Sequence, residues 1–191
     1  MTTMTTTVAP VLLLQLLVLQ PLALTLLDVD RNPERLPIGK VLVRPLTNPL
    51  TIATGTGVVL ALTDTHLPQP IEDPLVLVGG MAVPAMLIAY GVALRLGPLP
   101  GRGVRPRALA VVVGLKMVVQ PLAAYSAGHF LLGMDGADLF AVTLLSALPT
   151  AQNVFVVATR YDRGILLARD AIFVSTLLAA PAAVVIAALL S

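Results

Sequence analysis

Six long apolar stretches, at about residues 8–27, 45–62, 75–94, 108–128, 138–158 and 166–190, constrain this chain more than any other feature. Crossing about 30 Å of hydrocarbon as a helix takes roughly 20 apolar residues, which is the length of these stretches. They are continuously apolar rather than alternating over about ten residues, so they fit helices and not the strands of a membrane barrel. Composition agrees: 57% of the side chains are hydrophobic and 12% charged, where a soluble domain has about 45–50% and about 25%. The sequence therefore predicts an all-α, polytopic membrane protein. A short polar tail, residues 1–7, precedes a transmembrane domain over 8–191.

Charge tests that division independently, because cytoplasmic loops beside spans are rich in Lys and Arg. Arg31, Arg35, Lys40 and Arg44 follow the first stretch, Arg95, Arg102, Arg105 and Arg107 the third, and Arg160, Arg163 and Arg169 the fifth, accounting for eleven of the 12 basic residues. The intervening loops hold Asp64, Glu72 and Asp73, then Asp135 and Asp138, with no Lys or Arg. Alternation over five loops implies six crossings with both termini outside. The tail MTTMTTT lacks a basic residue, and the apolar run behind it exceeds the about 7–15 residues of a secretory leader, so 8–27 reads as a span.

Several functions fall away at this level. Zero cysteines exclude disulfides, thiolate metal sites and a cysteine nucleophile. A net charge of +2 with few aromatics argues against a nucleic-acid partner. No His-Glu-x-x-His, paired membrane aspartates or serine–histidine arrangement supports an intramembrane enzyme, and no cofactor motif is present. Gly55-Thr-Gly57 and Gly101-Arg-Gly103 are too short for a phosphate loop. Asp135-Gly-Ala-Asp138 reads as a turn, and His66 and His129 lack a second metal ligand nearby in sequence.

The most informative segment is Ser146-Ala-Leu-Pro149-Thr150-Ala-Gln152-Asn153, which sets a helix breaker and a polar cluster in the middle of the fifth stretch. Proline lacks a backbone donor and crowds the preceding turn. At membrane depth the freed carbonyls survive only when buried in protein or lining a cavity, and transporters place such interrupted helices at the substrate site. Pro149, Thr150, Gln152 and Asn153 are thus candidate substrate-binding residues. The competing account is a plain proline kink whose Gln152 and Asn153 bond a neighbouring helix.

Lys116 is the one basic residue inside a stretch, nine positions beyond Arg107. An ionisable group at that depth is a candidate for substrate or ion handling. It would equally serve by reaching the interface, or by bonding carbonyls freed by Pro121. Asp138 and Asp170 lie near the ends of stretches and read as boundary charges, which leaves no carboxylate deep in a span.

The run Ala147-Leu-Pro149-Thr-Ala-Gln-Asn153-Val-Phe155-Val-Val-Ala158-Thr-Arg-Tyr161, followed by Ser175-Thr-Leu-Leu178, resembles the penultimate and last helices of the auxin efflux carrier family. Asn48-Pro49 with Gly55, then Pro84-Ala-Met-Leu-Ile-Ala-Tyr-Gly91-Val-Ala-Leu94, then Lys116 with Pro121, are similar to that family's sixth, seventh and eighth helices. The first stretch would be its fifth. The resemblance implies one five-helix inverted-repeat unit plus one preceding helix, with a proline-broken crossover helix. It implies export of a small organic anion such as a carboxylate, with Pro149 at the crossover, Asn153 a substrate ligand, and Gln152 and Lys116 supporting groups. The family's first four helices have no counterpart here. The expected protein is a truncated permease of a cell membrane, in bacteria the inner membrane, in contact with lipid. Its missing half would come from another chain or a second copy. The alternative is a non-transporting membrane subunit or an inactive fragment.

Overall fold

The computed structural model describes residues 49–65 and 67–190, together with Leu22. The 1–7 tail, the first stretch with Pro21, the loop carrying Arg31, Arg35, Lys40 and Arg44, and His66 lie outside the described residues. Every regular element among the described residues is helical. They are α1 (Pro49–Leu62), α2 (Gln69–Leu96), α3 (Pro106–Leu131), α4 (Gly136–Ser146), α5 (Asn153–Tyr161) and α6 (Ile165–Leu190). Three of these, α2, α3 and α6, are long and apolar enough to cross a membrane. Shorter apolar helices cover Ile52–Leu62 and Gly136–Ser146.

The chain divides into two compact units, Met1–Leu77 and Val78–Ser191. In the first, α1 opens on Pro49, whose missing N–H costs nothing at a helix start. Thr56 turns its hydroxyl onto the preceding turn, donating to the Ile52 carbonyl at 2.8 Å. Asp64, in the left-handed conformation at φ 50°, ends that turn.

In the second unit α6 is the central element and packs on α3, α4 and α5. Its Ile172, 2% exposed, meets Tyr90 and Phe155, whose rings stand edge to face at 5.6 Å and 83°. The rest of this unit's surface is strongly apolar: in α2, Val78, Val83 and Ile88 lie open. Contiguous apolar surface on this scale is what a bilayer covers. The loop between α2 and α3 turns on Gly101 and Gly103, at φ 85° and 82°, which a residue with a Cβ adopts only at a cost. Pro106 then opens α3.

Proline acts in three ways here. Pro84 and Pro181 sit within α2 and α6 without interrupting either. Pro121 follows a widened π-type turn, Leu115–Val119, where the Gln120 N–H reaches back five residues to the Leu115 carbonyl. Pro149 separates α4 from α5 altogether.

Removing the Ile172 side chain as Ile172→Ala should cost about 2–5 kcal/mol through the cavity it leaves. Leu189→Ala, at a site 77% exposed, should change stability by no more than about 0.5 kcal/mol. Thermal unfolding of the detergent-solubilised chain measures both.

Candidate functional site

The site is built from a hydrogen bond that the chain does not make. In an uninterrupted helix the Thr150 N–H would bond the Ser146 carbonyl, four residues back. Here α4 ends at Ser146 with a tightened turn, the Ala147 N–H reaching the Thr143 and Leu144 carbonyls and the Leu148 N–H the Leu145 carbonyl at 3.3 Å. Pro149 has no N–H to continue the ladder. Helix α5 resumes at Asn153, with the Phe155 N–H on the Gln152 carbonyl at 3.0 Å. Residues 147–152 are left outside any helix.

Two neighbouring helices supply what the break removes. From α6, the Ser175 hydroxyl accepts the Thr150 N–H at 3.0 Å and itself donates to the Ile172 carbonyl at 3.1 Å. From α3, the Lys116 ammonium donates to the orphaned Ser146 carbonyl at 3.2 Å and to Gln120 Oε1 at 3.0 Å. An unpartnered backbone group in apolar surroundings costs about 1–3 kcal/mol, so both replacements matter to whether the break exists at all. The structure thus places Lys116 and Thr150 at the two sides of one helix interruption. The carbonyl Lys116 bonds was freed by the break and not by Pro121.

Gln152 and Asn153 are half-buried at the start of α5, and among the described residues their side chains make no hydrogen bond. The amides that open α5 are already used, Val154 N–H on the Ala151 carbonyl and the Phe155 and Val156 N–H groups on the Gln152 carbonyl, so the side chains are what remain. The Lys116 ammonium is half-buried and has only neutral partners among the described residues. An ammonium and two amide side chains with no carboxylate among them can accept an anion. Nothing comparable exists for a metal: no group of three or more His, Cys, Asp or Glu among the described residues is placed to hold one. His129 pairs with Asp135 at 3.3 Å and stacks on Tyr125, at a surface position.

One cluster differs from the sequence reading. Arg169 was counted there as a loop cation and Asp170 as a boundary charge, yet both lie inside α6 and are 1% and 0% exposed. Arg169 Nε donates to Asp170 Oδ1 at 2.8 Å, and Nη2 lies 2.7 Å from the same oxygen. Nη1 reaches the Ala93 carbonyl at 3.3 Å, and the Tyr90 hydroxyl donates to the Arg169 carbonyl at 2.9 Å. The other carboxylate oxygen accepts the Gly101 N–H at 2.8 Å. The glycine loop therefore does present an amide to an anion, but the anion is the chain's own Asp170. An adjacent Arg–Asp pair adds no net charge, so counting charges by loop does not reveal it. Ser175 was visible only as part of a family-like run.

Ser175→Ala leaves the Thr150 N–H without its acceptor and should cost about 1–3 kcal/mol, with faster hydrogen exchange at Thr150. Thermal unfolding and exchange mass spectrometry of the solubilised chain check both.

Comparison with known proteins gives the family. The chain matches the model of a family described as "Membrane transport protein" over residues 9–187. It is 31% identical over 131 residues to a protein of Rhizobium meliloti (strain 1021) named "Putative malonate transporter", an alignment covering 69% of this chain and 40% of that one. The chain thus spans less than half the length of this relative. No solved structure matches it. The match over nearly all of the residues, joined to the all-helical, apolar fold, shows that the chain is a multi-pass membrane protein and belongs to the membrane transport protein family, that of the auxin efflux carriers.

Proposed function

We propose that the chain forms the half of a secondary transporter that carries the broken-helix part of a site for a small organic anion, with a carboxylate as the recognised group. The observation that carries this reading is Lys116: a half-buried ammonium, held at the mouth of the break by a carbonyl and an amide and with no carboxylate among the described residues to neutralise it. A substrate carboxylate would replace one of those neutral partners. Asn153 and Gln152, whose side chains have no partner among the described residues, would complete its coordination, and Pro149 and Thr150 would keep the helix open there. Malonate, in the name of the Rhizobium relative, has the expected chemistry: two carboxylates on a small frame.

The proposed carrier sits in a cell membrane, in bacteria the inner membrane, crosses six times with both termini outside, and needs no cofactor. Alternating access would come from rocking of one helical repeat against another about the fixed site. Because the chain spans 40% of its relative's length, transport is proposed for the chain acting with the remaining helices of such a carrier, on its own polypeptide or another. The same figure favours a second reading, a membrane subunit or fragment without transport activity.

In proteoliposomes containing the chain with the remaining helices of the carrier, labelled malonate should enter saturably. Lys116→Ala and Asn153→Ala should each weaken apparent affinity about 10- to 100-fold, the value of a hydrogen bond to a charged group. Unchanged uptake kinetics in both variants would move the site elsewhere. Absence of uptake in every preparation would favour the second reading.

A further inference from the structure

Helix α6 has Leu, Ala, Val and Ile on all sides, and apolar contact is not directional. Such a helix can slide or rotate against its neighbours with little change in buried area. Its register has to come from polar contacts, and four that join α6 to other elements fall between positions 169 and 175. Three belong to the ion pair: Tyr90 hydroxyl to the Arg169 carbonyl, Arg169 Nη1 to the Ala93 carbonyl, and Gly101 N–H to Asp170 Oδ2. The fourth is the Thr150 N–H on Ser175.

We infer that the buried Arg169–Asp170 pair is a positioning device for the helix break, fixing α6 in the register from which Ser175 meets Thr150. Asp170 and Ser175 are five residues apart on one continuous helix, so roughly 7.5 Å along its axis and about 140° around it. The pair therefore faces α2 and the glycine loop, while Ser175 faces the break. A slip of one residue moves Ser175 by about 1.5 Å and turns it by about 100°, enough to lose the Thr150 bond. Ser175 is 0% exposed and also bonds the Ile172 carbonyl, so it has no freedom to follow. The fit around the pair is close: a Cβ added to Gly97 would run into Arg169 Nη1 and the Ala93 carbonyl. Residues that touch no substrate would thus set the geometry of a site on the other side of the helix. The link to transport rests on the proposed function, whereas the link to the break does not.

The test is amide exchange at Thr150 in the purified full chain, followed with overlapping peptides or by NMR. Gly97→Ala keeps both charges but displaces Arg169. Asp170→Asn keeps an acceptor for Gly101 but removes the charge. Tyr90→Phe removes one hydroxyl and leaves the ring on Phe155. Exchange at Thr150 should rise at least about tenfold in the first two, approaching the Ser175→Ala value, and by a smaller factor in Tyr90→Phe, with the middle of α4 unchanged. Exchange at Thr150 within about twofold of wild type in the folded variants would overturn the inference, as would acceleration confined to residues 97–105. If the first two variants do not fold, Tyr90→Phe decides by the same measure. In proteoliposomes the folded variants should raise the KM for malonate. Faster exchange without any malonate uptake, wild type included, would sink the transport reading and leave the positioning role standing.

Discussion

The break at Pro149, which parts the Ser146 carbonyl from the Thr150 N–H, is the constraint from which most of the second unit follows. Backbone N–H and C=O groups in apolar surroundings have to be paired within the protein. Once the ladder is interrupted, each freed group needs a polar side chain from outside the helix. Thr150 takes Ser175 and Ser146 takes Lys116, so α6 and α3 are both committed to flank the break. The widened turn Leu115–Val119 contains Lys116 and is followed at once by Gln120, its other acceptor, and by Pro121. Distortions in two separate helices therefore meet at one place. Widened turns of this type are uncommon and recur at functional sites.

That convergence explains why the prolines behave differently. Pro84 and Pro181 lie within helices that continue past them. Pro149 stands beside residues that bond elsewhere, and only there does the helix separate into α4 and α5. A single proline inside an apolar helix does not determine its effect. At Pro149, polar groups from α3 and α6 take up the parted backbone groups.

The fold class was legible because apolar runs of membrane length are a coarse and redundant signal, and the break was legible because three of the four residues after Pro149 are polar. The partners of the break were harder to read. Lys116 stood out as the lone cation in an apolar stretch, but its choice of the Ser146 carbonyl depends on packing between α3 and α4. A serine in an apolar helix, such as Ser175, carries no distinctive sequence signal. Arg169 and Asp170 were misread for a physical reason: charges beside an apolar stretch normally mark its boundary, whereas two adjacent opposite charges can neutralise each other and be buried together.

Those two cations also show how one chain can separate structure from binding. Arg169 is matched to a carboxylate held beside it in sequence, with one Nη1 donor on a carbonyl, and taking away either charge would strand the other in the interior at a cost of about 3–5 kcal/mol. Its charge is already neutralised by Asp170 and it is 1% exposed. Lys116 is half-buried and held only by neutral oxygens, so its charge is stabilised but not neutralised. Exchanging the Ser146 carbonyl for a carboxylate would strengthen one hydrogen bond while returning the carbonyl to whatever water entered with the substrate. On the proposed reading that difference is small enough for the anion to leave again, which a carrier requires. A guanidinium in its place, already paired like Arg169, would make a rigid joint where the transport cycle needs a reversible one.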